Sequence, residues 1–330
     1  MPDPNSRQFP NIAADDNILV GAYWYPWFGA DRRHWNEGYL GTPTLGEYDM
    51  TQPEVLDRHI DWATGHGIDL FAASWWGRDS FEDEVLRVHL PAAALGSEIQ
   101  FAVLYESAGL LKQQDGHFDL DDAANRRQFV DDVRYLAETF FSRPNYLRID
   151  GRPVLFVYLT RIFSGDVAGA FDQVRAAVRE IDGHDLYIVG DEVYWGSPDA
   201  KRLSWFDAVT AYNMHTSAPN IEVDFAQNVI RQYEWWAQAT KRANITLVPG
   251  VLPGFDDTAV RPRARHPVIG RSPALFVEQL KGALDIARRQ PVPMVMITSW
   301  NEWHEYTSVE PAEEYGFEYL ELLRAALNQP

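Results

Sequence analysis

No cysteine occurs among the 330 residues. That excludes disulfides, a thiolate nucleophile and every Cys-ligated zinc site, and leaves the redox compartment open. Basic residues are scarce as well: 29 Lys and Arg face 48 Asp and Glu, a formal charge of −19. Nucleic acid and anionic membrane need a basic stripe to hold phosphates, so neither is an expected partner. The acids are dispersed rather than gathered in a tail, which suits solubility. No apolar run is long enough to span a bilayer, and the start, Met1-Pro2-Asp3-Pro4-Asn5, lacks the basic-then-apolar pattern of a leader. A soluble chain without membrane insertion is expected, cytoplasmic as it stands or exported if a signal peptide has been removed. Two motif classes are also missing. No Gly-x-Gly-x-x-Gly follows the first apolar run, and the nine His form neither His-x-His nor His-x-x-x-His. A dinucleotide-binding sheet and a barrel metallohydrolase are therefore disfavoured, and no cofactor or metal is expected.

Aromatic residues are abundant: 12 Trp, 15 Tyr and 17 Phe. A bulky core accounts for a share of them. Many others sit beside polar residues where apolar runs end, which is compatible with a cleft whose flat rings stack on the C–H faces of sugars.

Apolar or β-branched runs recur over 18–27, 69–77, 99–105, 153–160, 186–190, 206–212, 245–249 and 293–300. Amphipathic periods between them predict helices over 53–64, 121–141, 166–181, 222–242, 272–289 and 311–327. Thr51 ahead of Pro53 reads as a helix cap, and Ser272-Pro273 repeats the signal. The helical period is weakest after the second and fifth runs. This β-α rhythm predicts an α/β protein built as a (β/α)₈ barrel with extended βα loops, after a short extension over 1–17.

In such a barrel the functional residues gather at the carboxyl ends of the strands. Those ends carry Tyr25 and Trp27, Ser74-Trp75-Trp76, Tyr105-Glu106-Ser107, Tyr158, Asp191-Glu192, Tyr212-Asn213, Asp256-Asp257 and Asn301-Glu302-Trp303-His304-Glu305. The long first loop adds His34, Trp35 and Asn36 as one wall. An isolated Glu-x-x-Glu is ordinarily a solvated turn. At the mouth of a buried strand, beside Trp300 and Trp303, Glu302 and Glu305 instead suit acid–base chemistry on a sugar. From the residues alone, the pair fits either a nucleophile about 5–5.5 Å from its partner or a wider inverting pair.

Five ordered segments carry a resemblance. They are Trp24-Tyr25-Pro26-Trp27-Phe28-Gly29, Ser74-Trp75-Trp76-Gly77, Gly151-Arg152-Pro153, Pro253-Gly254-Phe255-Asp256-Asp257-Thr258-Ala259-Val260-Arg261-Pro262 and Asn301-Glu302-Trp303-His304-Glu305-Tyr306-Thr307-Ser308-Val309-Glu310-Pro311. In these segments, over roughly 20–323, the chain resembles glycoside hydrolase family 99, the retaining endo-α-mannosidases. Two departures stand out. A His-Ile-Glu-Pro-Tyr type segment is replaced by Val103-Leu104-Tyr105-Glu106-Ser107, which keeps only the acid, and Tyr306 stands where the family has Gly. A phenol there is expected to reshape a subsite, so the identity of the sugar stays open.

The resemblance implies a reaction through a 1,2-anhydro sugar. Glu302 would take the proton from the 2-hydroxyl, and Glu305 would protonate the leaving oxygen. It implies an α-linked, mannoside-like oligosaccharide or polysaccharide as substrate. Tyr25, Trp27, Trp75, Trp76, Glu106, Tyr212, Asp256, Asp257, Arg261, Asn301, Trp303, His304 and Tyr306 are the candidate substrate-binding residues. Core packing competes for Tyr25 and Tyr212, a structural ion pair for Glu106, and a salt-bridge cluster for Asp256, Asp257 and Arg261. Trp75 and Trp76 alternate in direction on a strand, so one is expected to face the cleft. His304 reads as an orienting hydrogen-bond donor rather than a metal ligand. The alternative function is a non-hydrolytic glycan-binding or polysaccharide-biosynthesis protein on the same barrel. A lectin, however, has no use for two carboxylates at a scissile bond.

Overall fold

Side chains that are apolar on both faces of a strand need cover on both, and this chain supplies it with a closed barrel inside a ring of helices. The computed structural model describes Phe9 and residues 17–216 and 224–328; the remainder of the expected 1–17 extension lies outside the described residues. Eight parallel strands correspond to the eight apolar runs. They are β1 (Leu19–Trp24), β2 (Leu70–Trp75), β3 (Gln100–Tyr105), β4 (Arg152–Val157), β5 (Tyr187–Asp191), β6 (Ala208–Thr210), β7 (Thr246–Val248, resuming after Pro249 as Gly250–Val251) and β8 (Met294–Ile297).

The strands pair in sequence order from β1 to β7. The ring closes on either side of Pro249. Ahead of it β7 pairs with β6, Ala208 opposite Thr246; past it β7 pairs with β8, Gly250 opposite Met296. β8 then returns to β1 with Leu19 opposite Met294. Gly21 makes that last contact feasible, since a Cβ there would fall 2.6 Å from Met296 Sδ.

The outer ring holds α1 (Pro53–Thr64), α2 (Phe81–Glu84), α3 (Ala123–Leu136), α4 (Val167–Asp182), α5 (Ala200–Leu203), α6 (Phe225–Ala243), α7 (Pro273–Ala287) and α8 (Glu318–Leu327). Where the helical period is weakest, α2 is the first turn of an irregular helix and α5 is a single turn. The former runs on through a π-helical turn, Val85–His89. Each long helix turns an apolar stripe inward. Leu56, Ile60 and Ala63 of α1 are buried, for example, each buried Leu or Ile being worth about 1.5–3 kcal/mol.

Caps and starts follow the expectations unevenly. Ser272 Oγ accepts a hydrogen bond from the Leu275 N–H at 3.4 Å and so caps α7. Thr51 does not cap α1. The cap position is Gln52, without a side-chain bond, and the Thr51 N–H is held by Asp49 Oδ1 at 2.9 Å. α8 begins at Glu318, because residues 311–317 are drawn into a loop by bridges from Ala312 to Pro43 and Gly316. The start expected for α6 at 222 falls outside the described residues.

Candidate active site

The carboxyl ends of the strands open onto a cavity of about 470 Å³. Tyr25 and Trp27 reach it from the end of β1, and His34 and Glu37 from the loop that follows. Trp76 and Glu82 enter after β2, Glu106 after β3, Tyr158 after β4, Tyr212 after β6 and Arg261 after β7. The loop after β8 supplies Glu302, His304 and Glu305.

That last loop is stiffly built. Beyond β8 the Thr298–Ser299 peptide bond is cis. Ser299 Oγ accepts from the Glu302 N–H at 2.8 Å, and Glu302 Oε1 accepts from the His304 N–H at 2.9 Å. Asn301 reaches across to β1, its Oδ1 accepting from the Tyr25 N–H at 2.8 Å and its Nδ2 donating to the Tyr25 carbonyl at 2.9 Å. Below it, Glu310 Oε2 accepts from Tyr48 Oη at 2.7 Å and from Trp303 Nε1 at 3.1 Å.

The two carboxylates sit in different surroundings. Burial raises Glu302 well above the usual carboxylate range, and the negative charge of Glu305 adds to it. Burial also raises Glu305, but Arg261 opposes the shift, its Nη1 lying 2.9 Å from Glu305 Oε1. Both carboxyls are thus pushed toward the protonated form, and the guanidinium works against this at Glu305. Asp257 anchors Arg261 from behind, its Oδ2 lying 3.1 Å from Nη1 and 2.7 Å from His266 Nδ1.

Hydroxyls extend the polar wall. Tyr25 Oη donates to Tyr212 Oη at 2.5 Å, and Tyr212 Oη lies 3.5 Å from Glu305 Oε2. His215 is stacked on Phe255 at 4.0 Å, with its Nε2 3.8 Å from Glu305 Oε2. Burial pushes that imidazole down to about 3, so it stands there as a neutral ring. Across the cavity Glu106 accepts from Ser74 Oγ at 2.7 Å, and Ser74 Oγ in turn accepts from Trp76 Nε1 at 2.8 Å. Burial pushes Glu106 up to about 8. Trp27 and Trp76 lie obliquely against each other, their ring centroids 6.1 Å apart and planes at 44°, as one aromatic stretch of the wall.

Of the sequence candidates, Tyr25, Trp27, Trp76, Glu106, Tyr212, Arg261, Glu302, His304 and Glu305 line this cavity. The others lie behind it. Trp75 points to the opposite side of β2 from Trp76, stacks on Tyr135 and donates from Nε1 to Asp83 Oδ1 at 2.9 Å. Trp303 is fully buried, and Asn301 serves the backbone of Tyr25. Asp256 Oδ1 accepts from the Thr258 N–H at 3.0 Å and closes a local turn. Tyr306 takes a left-handed φ of 52°, and its ring turns onto the Arg271 guanidinium, 4.6 Å away, rather than into the cavity. Sequence reasoning did not single out Glu37 or Glu82. Glu37 falls in a loop without period, and Glu82 lies in the first turn of a four-residue helix.

A family profile described as glycosyltransferase WbsX matches residues 41–323. The protein WxcX of Xanthomonas campestris pv. campestris is 26% identical over 310 residues, covering 86% of this chain and 43% of that protein. The chain therefore spans less than half the length of that relative. A glycoprotein endo-alpha-1,2-mannosidase-like protein of Danio rerio is 39% identical over 327 residues, covering 90% of this chain and 66% of its own length. Among solved structures, the GH99 endo-alpha-mannosidase of Bacteroides thetaiotaomicron aligns with a TM-score of 0.69 at 18% identity, covering 95% of this chain and 97% of the other. At that identity the likeness shows the fold.

Proposed function

The chain belongs to the WbsX glycosyltransferase family and is a relative of the family 99 endo-α-mannosidases, and from that premise we propose that it is a retaining glycoside hydrolase acting on an α-linked, mannoside-like glycan. The observation that carries the reading is the buried Glu302–Glu305 pair, with Arg261 on one member, in an aromatic-walled cavity at the carboxyl end of the barrel.

In the reaction, Glu302 takes the proton of the 2-hydroxyl as that oxygen closes on C1, while Glu305 protonates the departing glycosidic oxygen. Water then opens the 1,2-anhydro sugar with the two groups acting in reverse. The electrostatics bear on this assignment. A carboxylate whose proton affinity is raised is the stronger base, and one beside a guanidinium is the stronger acid. Arg261 stabilises the carboxylate that Glu305 becomes. Tyr25 and Tyr212 supply hydroxyls beside it, and Trp27 and Trp76 offer faces for the sugar ring.

A second reading follows from the family's description as a glycosyltransferase. The same anhydro sugar, opened by a hydroxyl of another sugar instead of water, gives transfer within polysaccharide assembly.

The test sets the wild type and Glu305→Gln against a panel of α-linked oligosaccharides, with products and anomeric configuration followed by NMR. Cleavage with retention, lost in the variant, supports hydrolysis. Elongated products from added acceptors support transfer. Binding without turnover on the whole panel overturns both and leaves a glycan-binding protein.

A further inference from the structure

His34, Glu37 and His304 each bring one ligand atom into a cluster whose atoms all lie within 4.8 Å of one another. The reaction proposed above makes no use of them as a group. Two features distinguish the cluster from a chance meeting of polar side chains.

The first is the state of His304, which is 4% exposed. Its Nδ1 lies 2.9 Å from the carbonyl oxygen of Gly38. A carbonyl only accepts, so Nδ1 carries the proton and Nε2 of the neutral ring carries the lone pair. That Nε2 is buried and has no hydrogen-bond partner. Imidazoles that ligate metals are held in this way, the second nitrogen donating to a carbonyl or carboxylate.

The second is the state of His34. Its ring is stacked on Trp27, with centroids 4.5 Å apart and planes at 17°, which fixes its plane. Its Nδ1 is buried without a hydrogen-bond partner, yet lies 3.3 Å from Glu37 Oε1. A turn, with the Glu37 N–H on the His34 carbonyl at 3.0 Å, brings positions 34 and 37 together. The 3.3 Å separation equals the edge of a tetrahedron of ligands about 2.0–2.1 Å from its centre.

We propose that His34, Glu37 and His304 bind one divalent transition-metal ion of the zinc class in the wall of the cavity. Two imidazoles and one carboxylate form the donor set of zinc sites that keep a position open, and other first-row ions accept it too. Magnesium and calcium prefer all-oxygen sets. Because all three residues line the same cavity as Glu302 and Glu305, the open position faces the space for substrate. There the ion would take two adjacent hydroxyls, or a carboxylate, of a sugar. That last step rests on the proposed function; the binding of the ion does not. The site departs from the expectation that His304 only donates a hydrogen bond. It escapes sequence reasoning because its two His come from opposite ends of the chain.

The test uses the full chain, stripped of metal by chelator and titrated with Zn²⁺ by calorimetry in the absence of sugar. Co²⁺ absorption reports the ligand set. One ion per chain is expected, with His34→Ala and Glu37→Ala each weakening the affinity by at least about tenfold, as loss of a direct ligand should. Glu37 is exposed, so its replacement leaves the fold intact, and circular dichroism checks this for both variants. No ion bound by the wild type, or an affinity that either substitution leaves unchanged, overturns the proposal. With no sugar present, such a failure says nothing against hydrolysis, and an inert panel of oligosaccharides says nothing against the ion.

Discussion

Asn301 holds Tyr25 by both of its backbone polar groups, the N–H at 2.8 Å and the carbonyl at 2.9 Å. One amide side chain thereby imitates a strand neighbour where the β1–β8 ladder has ended, and it fixes the direction in which the Tyr25 ring enters the cavity. Asn301→Ala should leave both groups buried and unpaired, at about 1–3 kcal/mol each. Urea denaturation of the purified variant checks the loss. An unchanged midpoint would mean that water replaces the amide at no cost.

Glu106 gives a signed pH dependence. Burial, against a hydrogen bond from Ser74, pushes its carboxyl from 4.5 up to about 8. Between those values the folded chain holds a proton that the unfolded chain has released. Its contribution is therefore fully present below the unfolded value and is lost as pH rises toward the folded one, at up to about 1.4 kcal/mol per pH unit. Glu106→Gln removes the titration and keeps an acceptor for Ser74. Its stability relative to the wild type should rise from pH 5 to pH 8, read from unfolding midpoints at each pH.

Arg261 keeps Glu305 from following burial as far as Glu302 does. Arg261→Met should move the ionisation of Glu305 to higher pH. In ¹³C NMR of protein labelled at the glutamate carboxyls, the Glu305 resonance is expected to titrate later than in the wild type. A curve that does not move would show that the guanidinium is too well solvated to act on it.

Trp76 is 38% exposed and leans on the bare backbone of Gly109, where a Cβ would fall 2.4 Å from its ring. Gly109→Ala should tilt that ring away from Trp27 and weaken sugar binding severalfold. Glu302 and Glu305 lie elsewhere in the cavity, so KM should move more than kcat. Steady-state kinetics on whichever oligosaccharide is turned over provides the comparison.

The barrel was legible because its strands are buried on both faces and read as unbroken apolar runs between helical periods. The segments that escaped were those without a clear period, the irregular helix that α2 opens and the single turn α5. The loop after β8 was legible as chemistry from its residue types. Which of its side chains face inward was not, because no periodicity governs a loop. Trp303 and Asn301 turn down into the scaffold, and Glu302 and His304 turn up. Tyr306 shows the same limit. A phenol in place of Gly suggested a reshaped subsite, but the ring found Arg271 instead. Glu37 and Glu82 gave no local signal, since only the closure of the ring brings them to the cavity.

Pro249 divides β7 so that one half serves β6 and the other serves β8. The final seam of the circle is therefore sewn by strands from the last third of the chain, while Tyr25 and Trp27 of the cavity wall come from the first tenth. During synthesis, Tyr25 and Trp27 wait for the two glutamates until residue 305 has left the ribosome. No shorter piece that stops before that point holds both halves of the pocket. A fluorescent sugar analogue that binds there would accordingly report completion of the circle itself, switching on in one step rather than growing with chain length.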